Sequence, residues 1–127
     1  MVDPKPIKPQ FDCIIRRNGE IVRTTTVVGR VGWALLSLIL AGEKGCTPIT
    51  RPAPRWSDYV FRLRAQGFAV ETIDESHGGS FAGSHARYVL RDSVKVSGGN
   101  LREYLSSPDA RREFGMMAHS YFESAAA

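Results

Sequence analysis

The stretch from Trp33 to Arg91 constrains this chain most, because its hydrophobic period changes in a set order. Residues 30–42 carry Val31, Trp33, Leu35, Leu36, Leu38, Ile39 and Leu40 on nearly every side of a helical wheel, the pattern of a central, buried helix. Gly42 is placed to end it. Gly45, Pro48, Pro52 and Pro54 then crowd one turn-rich segment. Thr47-Pro48-Ile49 fits a short helical turn, with Thr47 as N-cap and Pro48 in the first position. Residues 53–67 resume helical spacing: Trp56, Tyr59, Val60, Leu63 and Gly67 share one face. Arg55, Asp58, Arg62 and Ala65 lie opposite, with Phe61 and Arg64 on the flanks. After Gly67 the period drops to two. Phe68-Ala69-Val70-Glu71-Thr72-Ile73 and His85-Ala86-Arg87-Tyr88-Val89-Leu90-Arg91 read as the arms of a hairpin over 68–91. The glycine- and serine-rich residues 74–84 between them are too long for a tight turn and form its tip.

Both flanks carry their own signals. Residues 11–28 read as a hairpin, two β-branched arms around Asn18-Gly19, the pair that best supplies positive φ at both centres of a type I′ turn. Residues 1–10 hold Pro4, Pro6 and Pro9 with Lys5 and Lys8 between them. They read as a flexible basic arm of extended geometry, either reaching along DNA or simply a frayed terminus. Ser97-Gly98-Gly99 breaks the pattern and opens a C-terminal region, 98–127. That region holds a short helix from Asn100 to Leu105 and a longer one, capped by Ser107 with Pro108 and Asp109 in its first turn, running to about Ser124. The domain proper is expected to span 11–97.

The run Tyr59-Val60-Phe61-Arg62-Leu63-Arg64-Ala65-Gln66-Gly67-Phe68-Ala69-Val70-Glu71-Thr72, followed by Ala86-Arg87-Tyr88-Val89-Leu90, resembles small bacterial and phage winged helix-turn-helix proteins. The resemblance covers roughly residues 30–92. It implies an α+β winged helix-turn-helix fold, here with an N-terminal β-hairpin and C-terminal helices. It also implies duplex DNA binding in transcriptional regulation, with helix 53–67 in the major groove and hairpin 68–91 as the wing. Residues 47–54 contain three prolines, so the middle helix of such a motif must be very short here. A winged helix can also serve as a protein-interaction adaptor without DNA binding, and that alternative stands beside the first.

On the DNA reading, Arg55, Asp58 and Arg62 face outward. Arginine pairs with guanine O6 and N7, and aspartate accepts from cytosine N4. Arg51 and Arg64 are expected to hold phosphates, with His77, His85 and Arg87 doing so from the wing. The alternative for the helix is a solvated face with an i, i+4 pair between Asp58 and Arg62. Arg16, Arg17 and Arg23 form either a second DNA-facing ribbon or solubilising charges on an exposed hairpin. Phe114, Met117 and Tyr121 make a stripe that either packs on the domain or forms a homodimer seam.

The net charge of +4 suits an anionic partner without demanding one. Cys13 and Cys46 sit in apolar contexts without a CxxC spacing and read as small buried hydrophobes. His77 and His85 lack further ligands at zinc spacing. Residues 78–84 lack the Gly-Lys-Ser/Thr ending of a phosphate loop. Neither a nucleophile elbow nor a carboxylate pair in an apolar setting stands out. The chain is therefore expected to be no enzyme and to need no cofactor or metal. No apolar run reaches the ~20 residues of a membrane span, and residues 1–6 lack a secretory apolar region, so a cytoplasmic protein is expected.

Overall fold

The computed structural model describes residues 6–77 and 83–115, the side chain of His77 excepted. In chain order the elements are β1 (Gln10–Arg17), β2 (Glu20–Val28), α1 (Arg30–Ala41), α2 (Trp56–Ala65), β3 (Val70–His77), β4 (Gly83–Leu90), β5 (Ser93–Gly99), α3 (Leu101–Leu105) and α4 (Pro108–Phe114). A single 3-10 turn, Gly42–Lys44, follows α1. Two antiparallel sheets result, one ordered β2-β1-β5 and the other β3-β4. Residues 78–82 of the expected tip, with Met117 and Tyr121, lie outside the described residues, while its flanks 74–77 and 83–84 belong to β3 and β4, so the paired arms run further than expected.

The first hairpin forms as its turn chemistry demands. Asn18 and Gly19 adopt φ of 55° and 81°, the two positive values of a type I′ turn. In β1, Phe11, Cys13 and Ile15 alternate inward and are fully buried, joined by Val27 of β2. The inward residues of this sheet meet α1, whose Trp33, Ala34, Leu35, Leu36 and Leu38 all lie in the core. Gly42 takes φ 57° and returns its N–H to the Leu38 carbonyl, ending the helix where expected.

β5 is an element that the sequence reading does not contain. Ser97-Gly98-Gly99 belongs to this strand, which pairs antiparallel with β1. Val94 and Val96 face Ile15 and Cys13 across it and pack on the core, while Ser93, Lys95 and Ser97 are exposed. The alternation over 93–97 was the available signal. The strand therefore crosses residue 97, and Leu101, Tyr104, Leu105 and Ala110 join the same core.

The C-terminal helix starts as expected, the Ser107 hydroxyl accepting from the Ala110 N–H with Pro108 behind it. It ends at Phe114, earlier than the expected Ser124, because Gly115 takes φ 76° and bonds back to the Arg111 carbonyl. Trp33 Nε1 donates to the Glu113 carboxylate, which ties α4 to α1. Cys13 and Cys46 are free and buried. Burial pushes their thiols up to about 12 and about 11, so both stay protonated and are poor nucleophiles near neutral pH.

Candidate nucleic-acid interface

The segment before α2 contains one turn of helix where a middle helix would stand. The Thr47 hydroxyl accepts the N–H groups of Ile49 and Thr50 at 3.2 and 3.0 Å, and Arg51 N–H reaches the Thr47 carbonyl at 3.0 Å. Proline lacks the N–H that would continue this ladder, so Pro52 and Pro54 delay the next helix to Trp56. The chain thus reverses in a few residues and lays α2 across α1. Trp56, Tyr59, Val60 and Leu63 are buried there. Trp33 and Trp56 meet at 5.5 Å between ring centroids, and Tyr88 of β4 stacks on Trp56 at 5.9 Å. Cys46 exchanges both backbone hydrogen bonds with Tyr88 at 2.9 Å, giving the β3-β4 hairpin a one-residue third strand.

Anchoring that face turns Arg55, Asp58, Phe61, Arg62 and Ala65 outward. Arg62 Nε donates to Asp58 Oδ2 at 3.1 Å, and both side chains are solvent-accessible. Such an exposed i, i+4 pair contributes only about 0.3–0.5 kcal/mol, so it orients Arg62 without locking it. Phe61 stands further out than its flank position suggests, 70% exposed.

The other expected site residues have partners within the fold. Arg51 donates to the Glu113 carbonyl at 2.6 Å and lies over the Phe114 ring at 5.1 Å. Arg64 donates to the Val70 carbonyl at 2.6 Å and to the Thr72 hydroxyl at 2.8 Å, joining α2 to the first wing strand. Arg87 grips the Glu75 carboxylate with two nitrogens at 2.6 and 2.7 Å and the Lys44 carbonyl with the third at 2.6 Å. His85 Nε2 lies 3.3 Å from the same carboxylate. His77 ends β3, and its side chain is outside the described residues. Of the expected seam, Phe114 is half-buried and meets Tyr104 edge-on at 6.4 Å.

The strands of the wing are not a positive surface. Glu71, Asp74 and Glu75 of β3 stand against Arg87 of β4 and Arg91 just beyond it, and Arg91 is itself paired with Glu71 at 2.6 Å. The Arg87 hydrogen bonds hold the Glu75 carboxyl down at about 2, against an ordinary 4.5. A depressed carboxyl stabilises the fold above its unfolded value and stops doing so as pH falls through its folded value. The stability gap between the wild type and Glu75→Gln will therefore be full above pH 4.5 and close progressively as pH falls towards 2. Urea midpoints of both proteins across that range measure it, and a gap that does not change with pH would remove Glu75 as the cause.

Positive side chains approach α2 from the first hairpin instead. Arg17 donates to the Gly67 carbonyl at 3.1 Å and Arg23 to the Ala65 carbonyl at 3.4 Å, both at the C-terminal end of α2. Cations there complement the helix dipole. Arg17 also makes a two-nitrogen bridge to Asp92 at 2.7 and 3.0 Å, and Asp92 Oδ2 accepts the Ala69 N–H at 2.6 Å. Gln66 reaches the Thr26 carbonyl at 2.6 Å. One cluster thus fixes the end of α2, the start of the wing and the edge of the other sheet. The sequence offers Arg17 and Arg23 as part of either a DNA-facing ribbon or a set of solubilising hairpin charges, and it does not single out Asp92 or Gln66. Their partners lie 23 to 75 positions away, where no local pattern could show them.

The fold thus mixes helices with antiparallel sheets, α1 and α2 being followed by the β3-β4 hairpin, which Tyr88 ties to Trp56 and Cys46. A family model described as a winged helix domain matches residues 24–100, more than half of the chain, and the protein belongs to that family. The match takes in the last part of β2 and all of β5, beyond the 30–92 span of the sequence resemblance. No curated protein and no solved structure matches the chain. Winged helix domains are in general DNA-binding or regulatory modules. Among the described residues, no helix is long and apolar enough to cross a membrane.

Proposed function

We propose that this protein binds duplex DNA through α2 in the major groove, in the role of a small bacterial or phage transcriptional regulator. The observation that carries the reading is the outward face of α2. Arg55, Asp58 and Arg62 stand solvent-accessible there, on a helix held by four buried side chains. Arginine reads guanine and aspartate reads cytosine at that distance from a groove, and Asp58 pre-orients Arg62. Arg51, Arg64 and Arg87 act chiefly by holding α2 and the wing in place, since each already donates to a group of the fold. Arg17 and Arg23 act in the same way at the end of α2, Arg17 through Asp92 and the Gly67 carbonyl and Arg23 through the Ala65 carbonyl. A protein-adaptor role is less well supported. The outward face of α2 offers one exposed ring and one methyl between charges, far less than the ~800 Å² per partner of a stable interface.

Titration into labelled mixed-sequence duplex, followed by fluorescence anisotropy at low and near-physiological salt, tests the reading. The logarithm of the binding constant is expected to fall linearly with the logarithm of salt, by about 0.9 for each phosphate neutralised. Absence of binding at low salt would reject duplex binding and put the adaptor role first.

A further inference from the structure

We infer that Phe61 is a specificity-determining residue that reads the C5-methyl group of thymine in the major groove. This rests on the proposed entry of α2 into that groove. Phe61 is 70% exposed, the most exposed of the large apolar side chains described. It makes no contribution to the core, which α2 joins through Trp56, Tyr59, Val60 and Leu63. Its neighbours on the helix surface are Ser57 and Asp58 one turn before and Arg64 and Ala65 one turn after, with Arg62 beside it. The ring and the Ala65 methyl therefore make one narrow apolar strip, bounded by the Asp58–Arg62 pair.

The surroundings select the occupant. A protein partner would need a wide apolar surface, and this strip is one ring and one methyl wide. A lipid surface would need further apolar side chains on the same face, and the neighbours are charged or small. A base pair in the major groove offers the matching chemistry: hydrogen-bonding edges for Arg55, Asp58 and Arg62, and on thymine a single methyl that alanine and phenylalanine contact. The strip has the size of that target.

The test removes the methyl groups without changing the sequence. A random duplex library is enriched by rounds of selection on the full chain, and the enriched pool is re-amplified with either thymidine or deoxyuridine triphosphate. Wild-type protein is expected to bind the thymine pool about 4-fold more tightly for each methyl contacted, the value of one buried methyl-sized group. Phe61→Ala is expected to bind both pools equally, with the salt dependence of the wild type. Its exposed position leaves folding intact, which thermal melting verifies. Equal binding of both pools by the wild type would overturn the inference while leaving duplex binding in place. A preference that persists in Phe61→Ala would overturn it too, by assigning the methyl to another residue. If no pool is enriched or bound at low salt, DNA binding and the inference fall together.

Discussion

Gly99→Ala will lower the stability of the protein by roughly 3 kcal/mol or more, through backbone strain and a clash that cannot relax locally. Gly99 closes β5 at φ 100°, and a Cβ there would stand 2.3 Å from the Gln10 carbonyl oxygen and 2.4 Å from Phe11 Cα. Both obstacles are main chain of the central strand, and Phe11 is fully buried. The neighbouring bonds tighten the site further. Asn100 N–H donates to the Gln10 carbonyl at 2.9 Å, Gln10 N–H to the Asn100 side chain at 2.8 Å, and that side chain to the Lys8 carbonyl at 2.9 Å. Moving β1 aside would break this lattice and the β1–β5 register together. Gly19→Ala is the control. It has positive φ of 81° but open space around its Cβ, so it should cost only the ~1–2 kcal/mol of left-handed backbone. Urea unfolding followed by tryptophan fluorescence compares the two. Equal losses would show that the approach of β5 to β1 does not control stability.

The second large effect concerns binding. Replacing Arg55 and Arg62 together with alanine is expected to weaken binding to a selected site by about 30-fold or more, two contacts at ~1 kcal/mol or above each. Stability should change by no more than about 0.5 kcal/mol, as for exposed surface positions. Among the described residues, the side-chain bond lost is the exposed Asp58–Arg62 pair. The form of the loss separates base reading from phosphate contact. Base reading predicts a fall in discrimination between sequences at nearly constant salt dependence. Phosphate contact predicts uniform weakening and a salt slope lower by about 0.9 per contact. A double variant that binds like the wild type would place α2 outside the groove.

Both predictions turn on features of different visibility. The α1 helix, the two hairpins and the Ser107 cap were legible because each is a short-range pattern: helical spacing, alternation, Asn18-Gly19, or a serine before Pro108. The outward trio Arg55, Asp58 and Arg62 was legible for the same reason, since the helical repeat assigns faces once Trp56, Tyr59, Val60 and Leu63 are taken inward. β5 was not read, because five alternating residues before Gly98-Gly99 become a strand only when Val94 and Val96 meet Ile15 and Cys13 of β1.

Charge was the least legible property. Arg51, Arg64 and Arg87 have the same residue type as Arg55 and Arg62, and nothing local distinguishes an arginine that will be consumed from one that will remain accessible. The distinction lies in partners brought near by folding: the Glu113 carbonyl for Arg51, Glu75 and the Lys44 carbonyl for Arg87, and Asp92 with the Gly67 carbonyl for Arg17. By itself the sequence determined which segments are helix or hairpin and which face of α2 looks outward, because periodicity acts over a few residues. Only the tertiary structure decided that β5 completes the first sheet, that Arg87 and Arg91 are paired with carboxylates of β3, and that Arg17 and Arg23 are drawn to the C-terminal end of α2. Hydrogen bonds and ion pairs are made across space between residues far apart in the chain.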